Sequence, residues 1–175
     1  MTHAILTAVG SDRPGLVDEV SEFIFQQGGN IEDSRMVNLR GQFAMMVLLS
    51  GTEETLGKIR AGLPGLSAAT NLHAELRPAE SARTAASAQA LPYRLTATAM
   101  DQAGLVHHIA HLLKTMSVNI ESLETRLAAA PITGAPVFEM ELILSVPRST
   151  AISKLRQSLG GLCDELNIDW ELDAM

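Results

Sequence analysis

The sequence has little with which to make covalent or catalytic structure. Its 175 residues include one cysteine, Cys163, so no intrachain disulfide can form and a reducing, cytoplasmic setting is expected. Aromatic residues are only 3% of the chain, so Leu, Ile, Val, Met and Ala must fill the core. There is no run of five Lys and Arg, and the net charge is −7. A grip on a phosphate backbone needs a concentrated basic patch, so no direct nucleic-acid contact is expected. No apolar stretch approaches the ~18 residues of a membrane helix. Met1 to Val9 is apolar, but Asp12 and Arg13 follow at once, without the basic flank or length of a secretion signal. No membrane partner is expected. Gly-x-Ser-x-Gly, phosphate-loop and zinc-hydrolase motifs are all missing. The carboxylates fall mostly on solvated helix faces, so the chain is read as a non-enzyme that needs no cofactor.

What the sequence does have is itself, twice. Asp12-Arg-Pro-Gly-Leu-Val17 aligns with Asp101-Gln-Ala-Gly-Leu-Val106 at an offset of 89. The same offset carries Val20 to Ile109, Phe23 to Leu112 and Asn30-Ile-Glu32 to Asn119-Ile-Glu121. The offset then becomes 95, where Phe43-Ala-Met-Met-Val-Leu-Leu-Ser50 meets Phe138-Glu-Met-Glu-Leu-Ile-Leu-Ser145. After one further residue, Leu56, Ile59, Arg60, Leu63 and Leu66 meet Ile152, Leu155, Arg156, Leu159 and Leu162. Matches kept in order over a whole unit mark a duplication.

Each copy predicts the same elements. Ile5–Val9 and Leu95–Ala99 alternate as strands, and a turn containing Gly leads into a helix. The apolar positions 16, 17, 20, 23 and 24, and 105, 106, 109, 112, 113 and 116, form helical stripes. Gly28-Gly29 stops the first helix. Second strands begin at Ile31 and Ile120, and Gly41-Gln42 makes a hairpin to a third strand, Phe43–Leu49. In the second copy, Ala128 to Pro136 lengthens that hairpin. A second helix, about 53 to 62 and 149 to 159, and a last strand complete the unit. The fold class expected is α+β: two ferredoxin-like βαββαβ units, each a four-stranded antiparallel sheet with two helices on one face. Domain boundaries are expected at 1–77 and 93–175, with a solvated linker over 78–92 that contains no aromatic or β-branched apolar residue.

A βαββαβ unit with Asp-x-x-Gly-Leu-Val after strand one and Asn-Ile opening strand two resembles the ACT domain. Two such units, with Gly-x-Asp-Arg-Pro-Gly-Leu-Val and Asn-Ile-Glu-Asp-Ser-Arg, look like the glycine cleavage system transcriptional repressor group. The second motif departs from the first, Gln102-Ala103 replacing Arg13-Pro14. The resemblance implies amino-acid-responsive regulation, with ligand bound at the loop between strand one and helix one, often where two ACT units meet. It also implies control of transcription through a protein partner.

The loops have chemistry suited to such a ligand. Gly15 and Gly104 sit where the chain turns from strand to helix, and the first helical N–H groups there lack intrahelical acceptors. With the helix dipole they suit an α-carboxylate, and Gly lets it approach the backbone. Pro14 fits a first helical position, where its missing N–H costs nothing. Asp12 and Asp101 could receive an α-amino group, and Asn30 and Asn119 offer both donor and acceptor. The candidate ligand residues are therefore Ser11, Asp12, Arg13, Pro14, Gly15, Leu16, Asn30 and Ile31, with Asp101, Gln102, Ala103, Gly104, Leu105, Asn119 and Ile120 in the second copy. The same residues also suit plain helix capping and turns, and Arg13 suits an ordinary solvated position.

His107, His108 and His111 lie outside the apolar stripe, so they read as a solvated face and not as a metal site. Cys163 has no His or basic neighbour to activate it and reads as an inert, partly buried residue. Strand alternation places Phe43, Met45, Val47 and Leu49 under the helices, and Ala44, Met46 and Leu48 with Ile5, Thr7 and Val9 on the open face. The second copy has Glu139, Glu141, Arg94, Thr96 and Thr98 there. An open apolar face calls for cover, by the other copy or by a second chain of a homodimer. The functions left standing are an amino-acid-responsive regulator with a protein partner, a ligand-free assembly module, and a small enzyme.

Overall fold

The computed structural model describes residues 1–79, 90–129 and 134–175. The chain divides into two compact units, Met1–Ala82 and Arg83–Met175. In the first, β1 (Thr2–Ser11), α1 (Leu16–Gln26), β2 (Asn30–Leu39), β3 (Gln42–Gly51), α2 (Glu53–Thr70) and β4 (Leu72–Pro78) follow in order. The second repeats the series as β5 (Ala90–Met100), α3 (Leu105–Thr115), β6 (Asn119–Ala129), β7 (Pro136–Pro147), α4 (Ile152–Leu166) and β8 (Asp169–Ala174). The sheets run β2-β3-β1-β4 and β6-β7-β5-β8, every pairing antiparallel. This is the expected ferredoxin-like arrangement in both units.

The register of each sheet explains its core. Leu6 stands opposite Val47 and Leu76, and Ala8 opposite Met45 and Ala74. With Phe43 and Leu49 these pack against Leu16, Val20 and Ile24 of α1 and Leu56, Ile59, Leu63 and Leu66 of α2. In the second unit Leu95, Met140, Leu142 and Leu144 meet Leu105, Ile109 and Leu113 of α3 and Leu155, Leu159 and Cys163 of α4. One face of each sheet therefore carries both helices. On the other face of the first sheet, Val9 is 48% and Met46 54% exposed.

The β2–β3 hairpin turns on Arg40 and Gly41, both with positive φ (51° and 78°), the conformation that matches the twist of antiparallel strands. Both β2 and β6 carry an irregularity just after their start, between Ile31 and Asp33 and between Ile120 and Ser122.

The structure alters several element limits. Helix α2 runs to Thr70, through Pro64, instead of ending near residue 62. Proline removes one helical N–H bond. The buried stripe Leu56, Ile59, Leu63, Leu66 and Thr70 continues past it, and that packing carries the helix on. The Thr70 hydroxyl donates to the Leu66 carbonyl at 2.7 Å, which satisfies the one polar group in the stripe. Likewise α4 starts at Ile152 and continues to Leu166, so that Cys163 is fully buried, not partly. Strands also take more of the connection than its composition suggests, β4 reaching Pro78 and β5 starting at Ala90. Pro92 lies just outside the stretch where β8 pairs with β5. The rest of the expected linker, 80–89, lies outside the described residues, as do 130–133 of the long hairpin.

Candidate functional site

The turn between β1 and α1 is fastened from two sides. The Asp12 backbone N–H donates to the Gly41 carbonyl at 2.8 Å, and Asn38 Nδ2 donates to the Asp12 carboxylate. Asn38 Oδ1 in turn accepts from the Gly41 N–H at 3.2 Å. The tip of the β2–β3 hairpin thus holds Asp12 in place. Arg13 reaches over the first helical turn and donates twice to Glu19, at 2.6 and 2.8 Å, and once to the Pro14 carbonyl. The Arg13 hydrogen bond holds the Glu19 carboxyl below its usual range, and Glu19 raises the guanidinium correspondingly.

Gly15 is the N-cap of α1, with φ 94° and ψ −10°, and no side chain caps the helix. The first helical bond runs from the Glu19 N–H to the Gly15 carbonyl at 2.9 Å. The N–H groups of Leu16, Val17 and Asp18 precede it and have no helical acceptor. Around them lies an open depression of about 470 Å³ lined by Asp12 to Asp18, Met36 and Phe43. Ser11, Asp12, Arg13, Pro14 and Gly15 are all exposed, and Leu16 is buried. Chemically this is a small groove with free amide donors, one carboxylate held by an amide, and one arginine held by a glutamate.

Asn30 and Ile31 are elsewhere in the unit. They open β2, whose far end carries Asn38, so roughly 26 Å of strand separates them from the loop. Together with Asp18, Ser21, Glu22, Ile24, Phe25 and Gly29 they line a second depression, which runs along α1 and shares only Asp18 with the first. Within one unit the Asp12 and Asn30 sets are not brought together.

The second unit keeps the backbone and changes the side chains. Gly104 is again an N-cap with φ 94° and no side-chain cap, and the His108 N–H donates to its carbonyl at 3.0 Å. The Asp101 N–H donates to the Pro136 carbonyl at 3.3 Å. Gln102 turns away to donate to the Leu166 carbonyl at 2.9 Å. Where the first unit has Arg13, Glu19 and Asn38, the second has Gln102, His108 and Leu127. Ala103 and Leu105 follow the first-unit path, exposed and buried respectively. Asn119 donates to Glu121 at 2.7 Å, and with Ile120 it lines a depression beside Lys114, Ser117 and Val118.

Sequence reasoning did not single out Glu19 as part of this site, nor Met36, Asn38 or Gly41. Their involvement depends on the β2–β3 register, which sets Asn38 opposite Phe43 and Phe43 opposite Gly10 at the end of β1. Pairing from the Arg40-Gly41 turn inward was the signal that could have found them. His107, His108 and His111 are exposed, with ring centroids 5.6 and 5.9 Å apart. Among the described residues no group of three or more His, Cys, Asp or Glu is placed to hold a metal ion. No helix among them is long and apolar enough to cross a membrane.

The ACT domain family model matches residues 2–77. A UPF0237 protein of Methanopyrus kandleri is 42% identical over 65 residues, which cover 36% of this chain and 72% of that protein. The chain belongs to the ACT-domain family. The glycine cleavage system transcriptional repressor of Escherichia coli K12 is 26% identical over 175 residues, covering 99% of this chain and 90% of the repressor. Among solved structures, an unknown protein from Galdieria sulphuraria matches this tandem ACT chain with a TM-score of 0.81 and 26% identity. That match covers 99% of this chain and 98% of that one. A protein provisionally named a glycine cleavage system transcriptional repressor shares the fold at a TM-score of 0.74 and 23% identity, covering 99% and 97%.

Proposed function

We propose that this tandem ACT protein is a cytoplasmic, amino-acid-responsive regulator that acts on transcription through a protein partner, without contacting DNA and without catalysing a reaction. The observation that carries the reading is the β1–α1 loop: an uncapped helix start behind a positive-φ glycine, between a carboxylate and an arginine. An α-amino acid needs donors for its carboxylate and an acceptor for its ammonium group. The amides of Leu16 to Asp18 with Arg13 supply the first, and Asp12 the second. Arg13 is held by Glu19, so a ligand carboxylate would compete with Glu19 for it. The corresponding residues Asp101 to Leu105 offer the amides and the carboxylate without the arginine. Asn30, Ile31, Asn119 and Ile120 lie apart from the loop of their own unit and are not assigned to the ligand. The whole-chain likeness to a transcriptional repressor supports the regulatory part.

Thermal shift with each proteinogenic amino acid in turn tests this. A ligand at 100 times its dissociation constant adds about 2.7 kcal/mol of stability, a shift of several degrees in a domain of this size. At least one amino acid is expected to give it, and Gly15→Val is expected to abolish it by placing carbons where the ligand approaches. Arg13→Gln, which leaves the backbone alone, should weaken it. If no amino acid moves the transition, the ligand part is wrong and a ligand-free assembly module takes its place.

A further inference from the structure

We propose that the open face of the first sheet is the homodimer interface, and that it is occupied by the same face of a second copy of this chain, related by a twofold axis parallel to the strands. The register supplies the argument, and the ligand reading is not needed for it. Across the open face the sheet presents three rows. Val37, Ala44, Val9 and His73 form one, Arg35, Met46, Thr7 and Glu75 the next, and Asp33, Leu48, Ile5 and Arg77 the third. In these three rows the two central strands contribute only apolar residues and one threonine. The charges stand on the outer strands, as expected of an interface with an apolar centre and a polar rim.

Turning a second copy over about an axis along the strands lays its β2 on β4 of the first. Each row then meets itself reversed. Arg35 faces Glu75 of the second copy, Asp33 faces its Arg77, Leu48 faces its Ile5 and Met46 its Thr7. Both rim pairs are of opposite sign, and symmetry repeats each of them. Within the single chain the same charges are paired along their own strands, Arg35 with Asp33 and Arg77 with Glu75 at 3.0 Å. They need only exchange partners. His3 and Glu32, 3.3 Å apart, close one end of the face.

The second sheet shows that the fold does not demand an apolar face. Its equivalent rows are Arg126, Glu139, Thr98 and Asp169, then Glu124, Glu141, Thr96 and Glu171, then Ser122, Ile143, Arg94 and Asp173. Reversed on themselves, these set Glu124 against Glu171 and bring two glutamates into the middle. A chain of net charge −7 approaches a second copy best through a face whose rim charges cancel. Four strands ~4.8 Å apart and about ten residues long give a face of roughly 600 Å², so the pair buries roughly 1,200 Å², the lower end of stable interfaces.

Sedimentation of the full chain over a concentration series tests the proposal, with circular dichroism to confirm folding. The wild type is expected to dimerise. Glu75→Arg alone and Arg35→Glu alone should each weaken the dimer at least ~tenfold, because each sets like charges together twice. The double variant should recover wild-type association. Met46→Glu, at a site 54% exposed, should give a monomer. If that variant does not fold, the charge exchange alone decides. Glu141→Arg on the other sheet should change nothing. A monomeric wild type, a dimer that survives Met46→Glu, or a double variant as weak as the single ones overturns the proposal.

Discussion

The two helix-capping glycines make a matched experiment. Gly15 and Gly104 share φ 94°, and a Cβ built at either lies no closer than 3.4 Å to anything, its neighbours being the flexible ends of Glu19 and His108. Replacement by alanine therefore costs backbone strain and almost no collision. The left-handed conformation costs an L-residue about 1–2 kcal/mol. Alanine also restricts the unfolded chain, which offsets about 0.4–1 kcal/mol of that. The net loss for Gly15→Ala or Gly104→Ala is about 1 kcal/mol, and the two should agree because the geometry is the same. With a urea dependence of ~1–3 kcal/mol per molar, each midpoint falls by roughly 0.5 M. Trp170, the one tryptophan, packs on the core of the second unit, so its fluorescence follows that unit, while circular dichroism follows both. Gly104→Ala must shift the fluorescence transition. An unchanged or raised midpoint in either variant would show that the glycine is not held left-handed, and the uncapped helix start would lose its basis.

Two further outcomes follow from the cores. Leu6 has no exposed surface and sits in the central strand between Val47 and Leu76. Leu6→Ala should cost about 2–5 kcal/mol in chemical denaturation, through lost burial and the cavity left behind, and a loss below ~1 kcal/mol would contradict the packing. Burial, helped by Asp164, pushes the Cys163 thiol up from 9.0 to about 11. It should resist alkylation at pH 8 while the chain is folded. The raised value stabilises the fold below the unfolded thiol's pKa, and that contribution is lost as pH rises through about 11. Rapid native labelling, or stability unchanged over that range relative to Cys163→Ala, would refute the placement.

Most of the architecture was legible because local pattern and global fold agree. The alternation Phe43, Met45, Val47, Leu49 fixed which face of β3 goes inward, and all four are buried. The helical stripes of α1 and α3 bury Leu16, Val20 and Ile24, and Leu105, Ile109 and Leu113. Reading failed where a local rule was outweighed by packing. Pro64 is a helix breaker by itself, yet Leu63, Leu66 and Thr70 still find the core beyond it. At the candidate site the chain-local part, the turn at Gly15, was readable. The part contributed by β2 was not, because Asn38 lies 26 residues from Asp12 and only strand pairing brings them together.

The irregularities in β2 and β6 carry a piece of history. A bulge sets two residues of one strand against one of its partner, so an added residue is absorbed and the side chains beyond it keep their faces. Here the interruption falls at Ile31/Asp33 and at Ile120/Ser122, which differ by the 89 positions that separate the two copies. Gaining it twice would require two separate insertions at one position of the unit. The economical account is that the bulge was present in the ancestral unit before it was doubled. The longer β6–β7 connection has no counterpart at the Arg40-Gly41 turn, so the two hairpins changed relative to each other only after the copies had separated.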